Sequence, residues 1–399
     1  MVGGGQLARM THQSAIALGM SLRVLAVSPE DPAAQVSPDV VVGPHTDLQA
    51  LRAVAEGAAA LTFDHEHVPG ALLEALVAEG VPVLPGPQAL RYAQDKLAMR
   101  RRLAELGVPV PRFTAVNTID DVDAFADLVG GPVVVKTVRG GYDGRGVVLA
   151  DDVVAARDAV AGYLRDDVAV LLEERVAMRR ELSALVARSP LGQGAAWPVV
   201  ETVQRDGICV TVLAPAPGLP EDVAARAERL GLRIAADLGV VGVLAVELFE
   251  TTEGALVVNE LAMRPHNSGH WTMNGSVTSQ FEQHLRAVLD YPLGDTRPLA
   301  PVTVMANVLG APQAPAMGMD ERMHHLFGRI PDAHVHLYGK AERPGRKIGH
   351  VNLVGGPKAD VATVRERAER AAHWLSHAEW TDGWDGREAT GRSGEGGRR

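Results

Sequence analysis

Cysteine is nearly absent: Cys209 stands alone in 399 residues. No disulfide can close within the chain, zinc sites built on several cysteines are excluded, and a reducing compartment fits better than a secreted one. No stretch has the uninterrupted apolar length of a membrane span, and Met1 and Val2 run into three glycines without a charged or apolar leader. The expectation is a soluble, cytoplasmic protein that spans no membrane. Positive charge is not in excess either. A formal net charge of −10 disfavours a broad nucleic-acid footprint while leaving room for a local basic pocket that holds the phosphates of a small ligand.

With 46% hydrophobic residues over 399 positions, the chain can bury a large core and exceeds one typical domain. Over residues 1–90, short apolar runs (22–27, 40–42, 60–63, 81–84) alternate with helix-patterned stretches such as Leu48, Leu51, Val54 and Ala55. This predicts a parallel α/β, Rossmann-like domain. A single charged helix is expected over residues 88–106, ending at Gly107, and residues 91–295 read as α+β. The Pro-rich break at residues 292–301 predicts a boundary, followed by a small β-rich domain over 296–380 with a helix near residues 361–375. Residues 385–399, rich in Gly, Arg and Ser, read as a disordered tail. The glycine turn at residues 3–5 follows only two residues, so an abbreviated first strand is expected.

Several segments carry chemistry. Gly3-Gly4-Gly5-Gln6-Leu7 before an apolar helix is either a phosphate-cradling turn or a tight strand-to-helix turn without a ligand. Val133-Val134-Val135-Lys136 followed by Gly140-Gly141-Tyr142-Asp143-Gly144-Arg145-Gly146 is more specific. A lysine ending a buried strand can face a phosphate while the glycines form a flap that closes over a triphosphate. Glu247 sits among apolar residues, where an unpaired carboxylate is costly, and with Asn259-Glu260 on the next strand it suits a hard divalent cation. Arg264-Pro265-His266-Asn267-Ser268-Gly269-His270 gathers donors suited to a small oxyanion. Zinc at His266 and His270, or at Asp64-His65-Glu66-His67, is the weaker reading, because Pro265 and Gly269 disfavour one helix face. The basic run from Tyr338 to His350, broken by Pro344 and Gly345, is either a solvated turn or a ribose-phosphate site.

In this order the motifs resemble the ATP-grasp superfamily, and within it the 5-(carboxyamino)imidazole ribonucleotide synthases, biotin-independent carboxylases of purine synthesis. The likeness runs from Gly3 to about Gly355, and its specific parts are residues 140–146, 259–270, Ser279-Gln280-Phe281-Glu282-Gln283-His284-Leu285-Arg286-Ala287, and 343–350. The resemblance implies an ATP-grasp fold with a pre-ATP-grasp N-terminal domain, and ATP with Mg2+ (or Mn2+) but no biotin. It implies 5-aminoimidazole ribonucleotide and bicarbonate as substrates, and a homodimer. By position it assigns Lys96, Lys136, Gly141, Gly144, Glu173, Glu174, Val176, Glu181, Asn259 and Glu260 to ATP, and Glu247 and Glu260 to the metal. It assigns Arg264, His266, Asn267 and Lys340 to the carboxyl group, Asp143 to proton transfer, and Glu66, Tyr142, Arg145 and Arg346 to the aminoimidazole ribonucleotide. Met263 departs from the proline common there. Competing expectations are a formate-activating ATP-grasp ligase, a nicotinamide-dependent oxidoreductase using the first glycine turn, and a nucleotide-binding regulator.

Overall fold

The computed structural model describes residues 1–141 and 144–384. The N-terminal apolar runs are too short for long strands and instead make a row of brief parallel contacts. Val24–Ala26 pairs in parallel with Val40–Val42. Val2 bridges both Leu25 and Phe63, and Leu61 bridges Val83. All of these except the Val40–Val42 strand are buried. Helices fit this sheet by their periodicity: Leu48–Ala55 buries Ala50, Leu51, Val54 and Ala55 and is capped by Asp47, which accepts from Gln49 N.

The helix expected over residues 88–106 is two helices, Pro87–Gln94 and Lys96–Glu105. Asp95 divides them. Its backbone is extended and its side chain accepts from Ala98 N at 2.8 Å, so it starts a new helix instead of continuing the old one. Lys96 N also donates to Val138 O at 2.9 Å. The break therefore fixes Lys96 against the strand that carries Lys136.

A small antiparallel sheet follows, in the order Phe113–Ala115, Val170–Glu174, Val133–Thr137, Val147–Ala150. Helices Asp120–Val129 and Val153–Arg165 cover one face through Val122, Phe125, Ala156 and Val160. The other face is left to the cavity described below.

The larger sheet has nine strands. Its central antiparallel pairs are Met178–Arg188 against Gly242–Thr251 and Gly242–Thr251 against Leu256–Ala262, with helix Glu221–Asp237 packed on them. Thr303–Leu309 pairs with Ile208–Ala214, and Lys347–Val354 pairs with Thr303–Leu309. The C-terminal strands thus extend the middle sheet, which runs unbroken across residue 295. Helix Val361–His377 packs on this extension.

Helix Gln280–Val288 is buried along polar as well as apolar positions, because each polar side chain pairs with a backbone segment. Gln283 accepts from Gly294 N at 2.7 Å and donates to Gly294 O at 2.8 Å. His284 Nδ1 accepts from Val243 N at 3.1 Å, which leaves Nε2 to donate to Thr62 Oγ1 at 2.7 Å. One imidazole joins the N-terminal segment to the central sheet. Among the described residues no helix is long and apolar enough to cross a membrane.

Candidate functional site

A cavity of about 1200 Å³ lies between the N-terminal segment, the open face of the small sheet and the central sheet. One end is organised by a buried ion triad. Glu173, 2% exposed, receives Arg100 Nε at 2.7 Å on one oxygen and Lys136 Nζ at 2.8 Å on the other. Lys136 also donates to Asn259 Oδ1 at 3.0 Å, and Arg100 Nη2 donates to Asn259 O at 2.7 Å. Burial alone would raise the Glu173 pKa, but Lys136 and Arg100 outweigh it and hold the carboxylate below its usual range. The lysine is thereby fixed in direction at the end of its strand. Lys96 reaches toward the same place, with Nζ 3.1 Å from Gly140 O and 3.6 Å from Glu260 Oε1.

Carboxylates stand beside the lysines. Glu247 and Glu260 are register partners on neighbouring strands, and Glu181 comes from the third. The Glu247 side chain keeps 31% of its surface open to the cavity, yet protein encloses it. Burial first, then Glu260 and Glu181, push its pKa well above the carboxylate range. Oxygen donors that repel one another in a concave site are the chemistry a hard divalent cation offsets, so Glu247 and Glu260 fit such an ion.

Residues 264–270 close the other end. Arg264 Nε lies 2.7 Å from Glu66 Oε2, while Glu66 Oε1 is buried without a partner among the described residues. His266 Nδ1 accepts from Ser268 N at 3.4 Å and lies 2.9 Å from Ser268 Oγ, which leaves the ring hydrogen on Nε2, 3.5 Å from Glu247 Oε1. Burial, then Arg264 and Lys347, hold its pKa down at about 3, so the imidazole is neutral at pH 7. Asn267, Cys209 and Lys347 share this lining. Burial pushes the Cys209 thiol up to about 12, which keeps it protonated and a poor nucleophile.

The cavity lining gathers Glu66, Lys96, Lys136, Gly141, Gly144, Glu173, Glu174, Val176, Glu181, Glu247, Asn259, Glu260, Arg264, His266 and Asn267 from the expected set. Arg145, Lys340 and Arg346 are not part of it. Arg145 is exposed, Arg346 Nη1 donates to Ala341 O at 3.3 Å, and Lys340 reaches Gln6, itself a lining residue. Tyr142 and Asp143 lie outside the described residues. The Glu174 carboxylate is occupied by Arg112 at 2.6 Å, so its strand offers backbone to the cavity there.

At the first glycine turn an acidic side chain of the protein takes two of the backbone donors. Asp64 accepts from Gly5 N at 3.1 Å and Ala8 N at 2.7 Å, so a carboxylate of the protein already occupies the start of helix Gln6–Ala17. A Cβ on Gly5 would stand 2.2 Å from Asp64 Oδ2, which explains the glycine by approach. Residues 267–269 form a short 3-10 turn, and no group of three or more metal-binding side chains occurs among the described residues, so the zinc readings have no geometric support. Met263 is wholly buried in the main core.

Sequence reasoning missed Arg100 and Lys347. For Arg100 there was a signal: it lies between Met99 and Leu103 on the buried side of its helix, where a cation requires a counter-ion. For Lys347 the signal was its neighbour. The basic run is visible in the sequence, but the strand Lys347–Val354 is what brings one of its cations into the cavity.

Three family matches tile the chain. A ribonucleotide synthetase pre-ATP-grasp domain matches residues 1–94, an ATP-grasp domain 101–281, and a phosphoribosylaminoimidazole carboxylase C-terminal domain 303–364. The N5-carboxyaminoimidazole ribonucleotide synthase of Mycobacterium tuberculosis is 71% identical over 98% of this chain and 90% of its own length. That of Corynebacterium ammoniagenes is 52% identical over 96% and 93%. The N5-carboxyaminoimidazole ribonucleotide synthetase structure from Thermus thermophilus superimposes with a TM-score of 0.81 at 38% identity, covering 96% of this chain and 100% of that one. The synthase of Aspergillus clavatus, solved with ADP and 5-aminoimidazole ribonucleotide, gives 0.81 at 30% identity, covering 94% and 96%.

Proposed function

The chain belongs to the N5-carboxyaminoimidazole ribonucleotide synthases, ATP-grasp ligases of purine biosynthesis, and we propose that its cavity joins ATP cleavage to carboxylation of 5-aminoimidazole ribonucleotide with bicarbonate as the carbon source. The observation that carries this reading is the layout of one cavity. A lysine pair and a carboxylate pair stand at one end, and a neutral imidazole, an amide and cations at the other.

In this reading bicarbonate attacks the γ-phosphoryl group, ADP leaves, and the carboxyphosphate formed is captured by the exocyclic amine with loss of phosphate. Lys96 and Lys136 hold the β- and γ-phosphate oxygens, and Lys136 does so from an orientation set by Glu173 and Asn259. Glu247 and Glu260 would hold Mg2+, which would neutralise phosphate charge when bound. Residues 140–146 close over the triphosphate and keep water from the labile intermediate. Arg264, His266 and Asn267 hold the carboxyl group. A neutral His266 with hydrogen on Nε2 donates to an oxyanion without competing for its proton. The unpartnered Glu66 Oε1 accepts from the aminoimidazole ribonucleotide, Arg145 and Arg346 contact the same nucleotide, and Lys340 joins the groups that hold the carboxyl. Tyr142 contacts the aminoimidazole ribonucleotide, and Asp143 takes the proton released by the amine. Action on a soluble nucleotide suits the cytoplasm, and a homodimer is the assembly proposed.

The test is phosphate release from ATP with bicarbonate and 5-aminoimidazole ribonucleotide omitted in turn, together with measurement of the carboxylated nucleotide. Formation of one product per phosphate only with both present is expected. Equal turnover with formate in place of bicarbonate would refute the reading. A second test concerns His266→Ala, which should keep ATP affinity while product per phosphate falls.

A further inference from the structure

Gln280 is wholly buried in the first turn of helix Gln280–Val288, where an unpaired amide is costly. Its Oε1 accepts from His266 N at 2.8 Å, and its Nε2 donates to His266 O at 2.8 Å and to His270 Nδ1 at 2.9 Å. One side-chain amide therefore pairs with His266 on both sides of its backbone, as a neighbouring strand would, in a loop that no strand reaches. The helix start is tied to the same loop: Gln280 N donates to Thr272 Oγ1 at 2.9 Å, and that hydroxyl donates to Gly269 O at 2.6 Å. A Cβ on Gly269 would stand 2.3 Å from Gln280 Oε1, so the loop closes on the amide only with glycine there.

What this clamp fixes is the direction of a ring. With the His266 backbone held on both sides, the imidazole is set between Ser268, at 2.9 Å, and Glu247, at 3.5 Å, and the Asn267 amide follows into the cavity lining. Gln280 itself is not part of that lining.

We propose that Gln280 is a positioning residue of the carboxyl-transfer step, holding His266 and Asn267 where the activated carboxyl group is kept until the amine captures it. The proposal rests on the reading of residues 264–270 as the carboxyl-holding loop. It differs from a packing role because it acts on one half-reaction: ATP is held by Lys136 and its partners, which Gln280 does not touch.

The experiment compares the wild type, His266→Ala, Gln280→Met and the near-isosteric Gln280→Glu. For each, the KM for ATP, the phosphate released and the carboxylated nucleotide formed are measured in one reaction between pH 6 and 8, normalised to the wild type at the same pH. Thermal melting checks the fold. For Gln280→Met the expected result is a KM for ATP within about twofold of wild type and about a tenfold fall in product per phosphate, the scale expected when a reacting group is misplaced by under 1 Å. Gln280→Glu keeps an acceptor for His266 N but turns acceptors on His266 O and His270 Nδ1. It should be uncoupled at pH 8 and recover as pH falls, because a buried carboxyl takes up a proton and regains an O–H donor. Gln280→Met should show no such recovery.

The proposal is overturned if folded Gln280 variants keep the wild-type ratio, if ATP KM and coupling decline in parallel, or if neither variant folds. A His266→Ala enzyme with wild-type coupling sinks the underlying reading of the loop instead. Uncoupled His266→Ala beside coupled Gln280 variants sinks only the role of Gln280.

Discussion

Replacing Glu173 by glutamine tests whether the buried triad is one electrostatic unit. The native carboxylate gives one oxygen to Arg100 at 2.7 Å and the other to Lys136 at 2.8 Å, with the Arg100 and Glu173 side chains 1% and 2% exposed. Glutamine offers an oxygen to only one of these cations and turns an NH2 donor on the other. Arg100 then remains in a dry site without an anion while Lys136 at the cavity wall loses its ion partner, and breaking such a buried pair costs about 3–5 kcal/mol. Arg100→Leu alone costs a similar amount, because Glu173 keeps only Lys136 and the donor to Asn259 O is lost. In the double variant the amide oxygen turns to Lys136 and the donor–donor conflict disappears. The combined loss should therefore fall short of the sum of the single losses by about 2 kcal/mol or more. Urea denaturation at pH 7 of the four proteins measures this coupling. KM for ATP in Glu173→Gln should rise about tenfold or more, as Lys136 loses its direction. Single effects that add within about 0.5 kcal/mol, or an unchanged KM for ATP, would refute the reasoning.

Glu260→Gln should keep the fold and lose Mg2+-dependent turnover at ordinary magnesium, since an amide is a poor substitute for a carboxylate on a hard cation; near-normal activity would remove it from the metal. His284 predicts an acid limit to stability. Burial lowers its pKa to about 4 from an ordinary 6.5, so the unfolded chain takes up a proton that the folded form refuses. Stability is then complete above pH 6.5 and lost as pH falls toward 4, with about 2 kcal/mol gone by pH 5. Unfolding free energies from urea titrations at pH 7 and 5 should differ less in His284→Gln than in the wild type by that amount, and identical pH dependence would exclude the histidine. Gly5→Ala should destabilise the N-terminal segment by about 1–3 kcal/mol by pushing Asp64 off its two backbone donors, and an unshifted melting temperature would count against that account.

Periodic segments were legible because their signal is local. The helices Glu221–Asp237 and Val361–His377 and the strand Gly242–Thr251 fall where the apolar pattern put them, and Glu247 is half-buried as its neighbours implied. What stayed hidden depends on distant partners. Nothing near Arg100 names Glu173, 73 positions away, and nothing near Gly5 names Asp64, 59 positions away. The same distance effect divides residues 88–106, where a helix pattern without a breaker gives way at Asp95 to a bridge with Arg139. The chemistry of the site was more legible than its geometry. Residue types at residues 259–270 announced anion and cation binding, whereas the choice of Lys347 as a cavity cation required the strand that carries it.

The unbroken sheet has a consequence for how the chain can be divided. Thr303–Leu309 supplies the ladder partner of Thr211, Val212, Leu213 and Ala214 in the strand Ile208–Ala214, so a fragment cut at residue 295 would carry those four residues as a bare strand edge. These four residues are buried in the whole protein. An edge of this kind recruits other chains, so the fragment should precipitate or pair with itself even though its ATP end is intact in sequence. Supplying residues 296–384 as a second polypeptide should restore solubility by strand addition, making the C-terminal segment a fold-completing partner of the catalytic sheet as well as a carrier of binding residues.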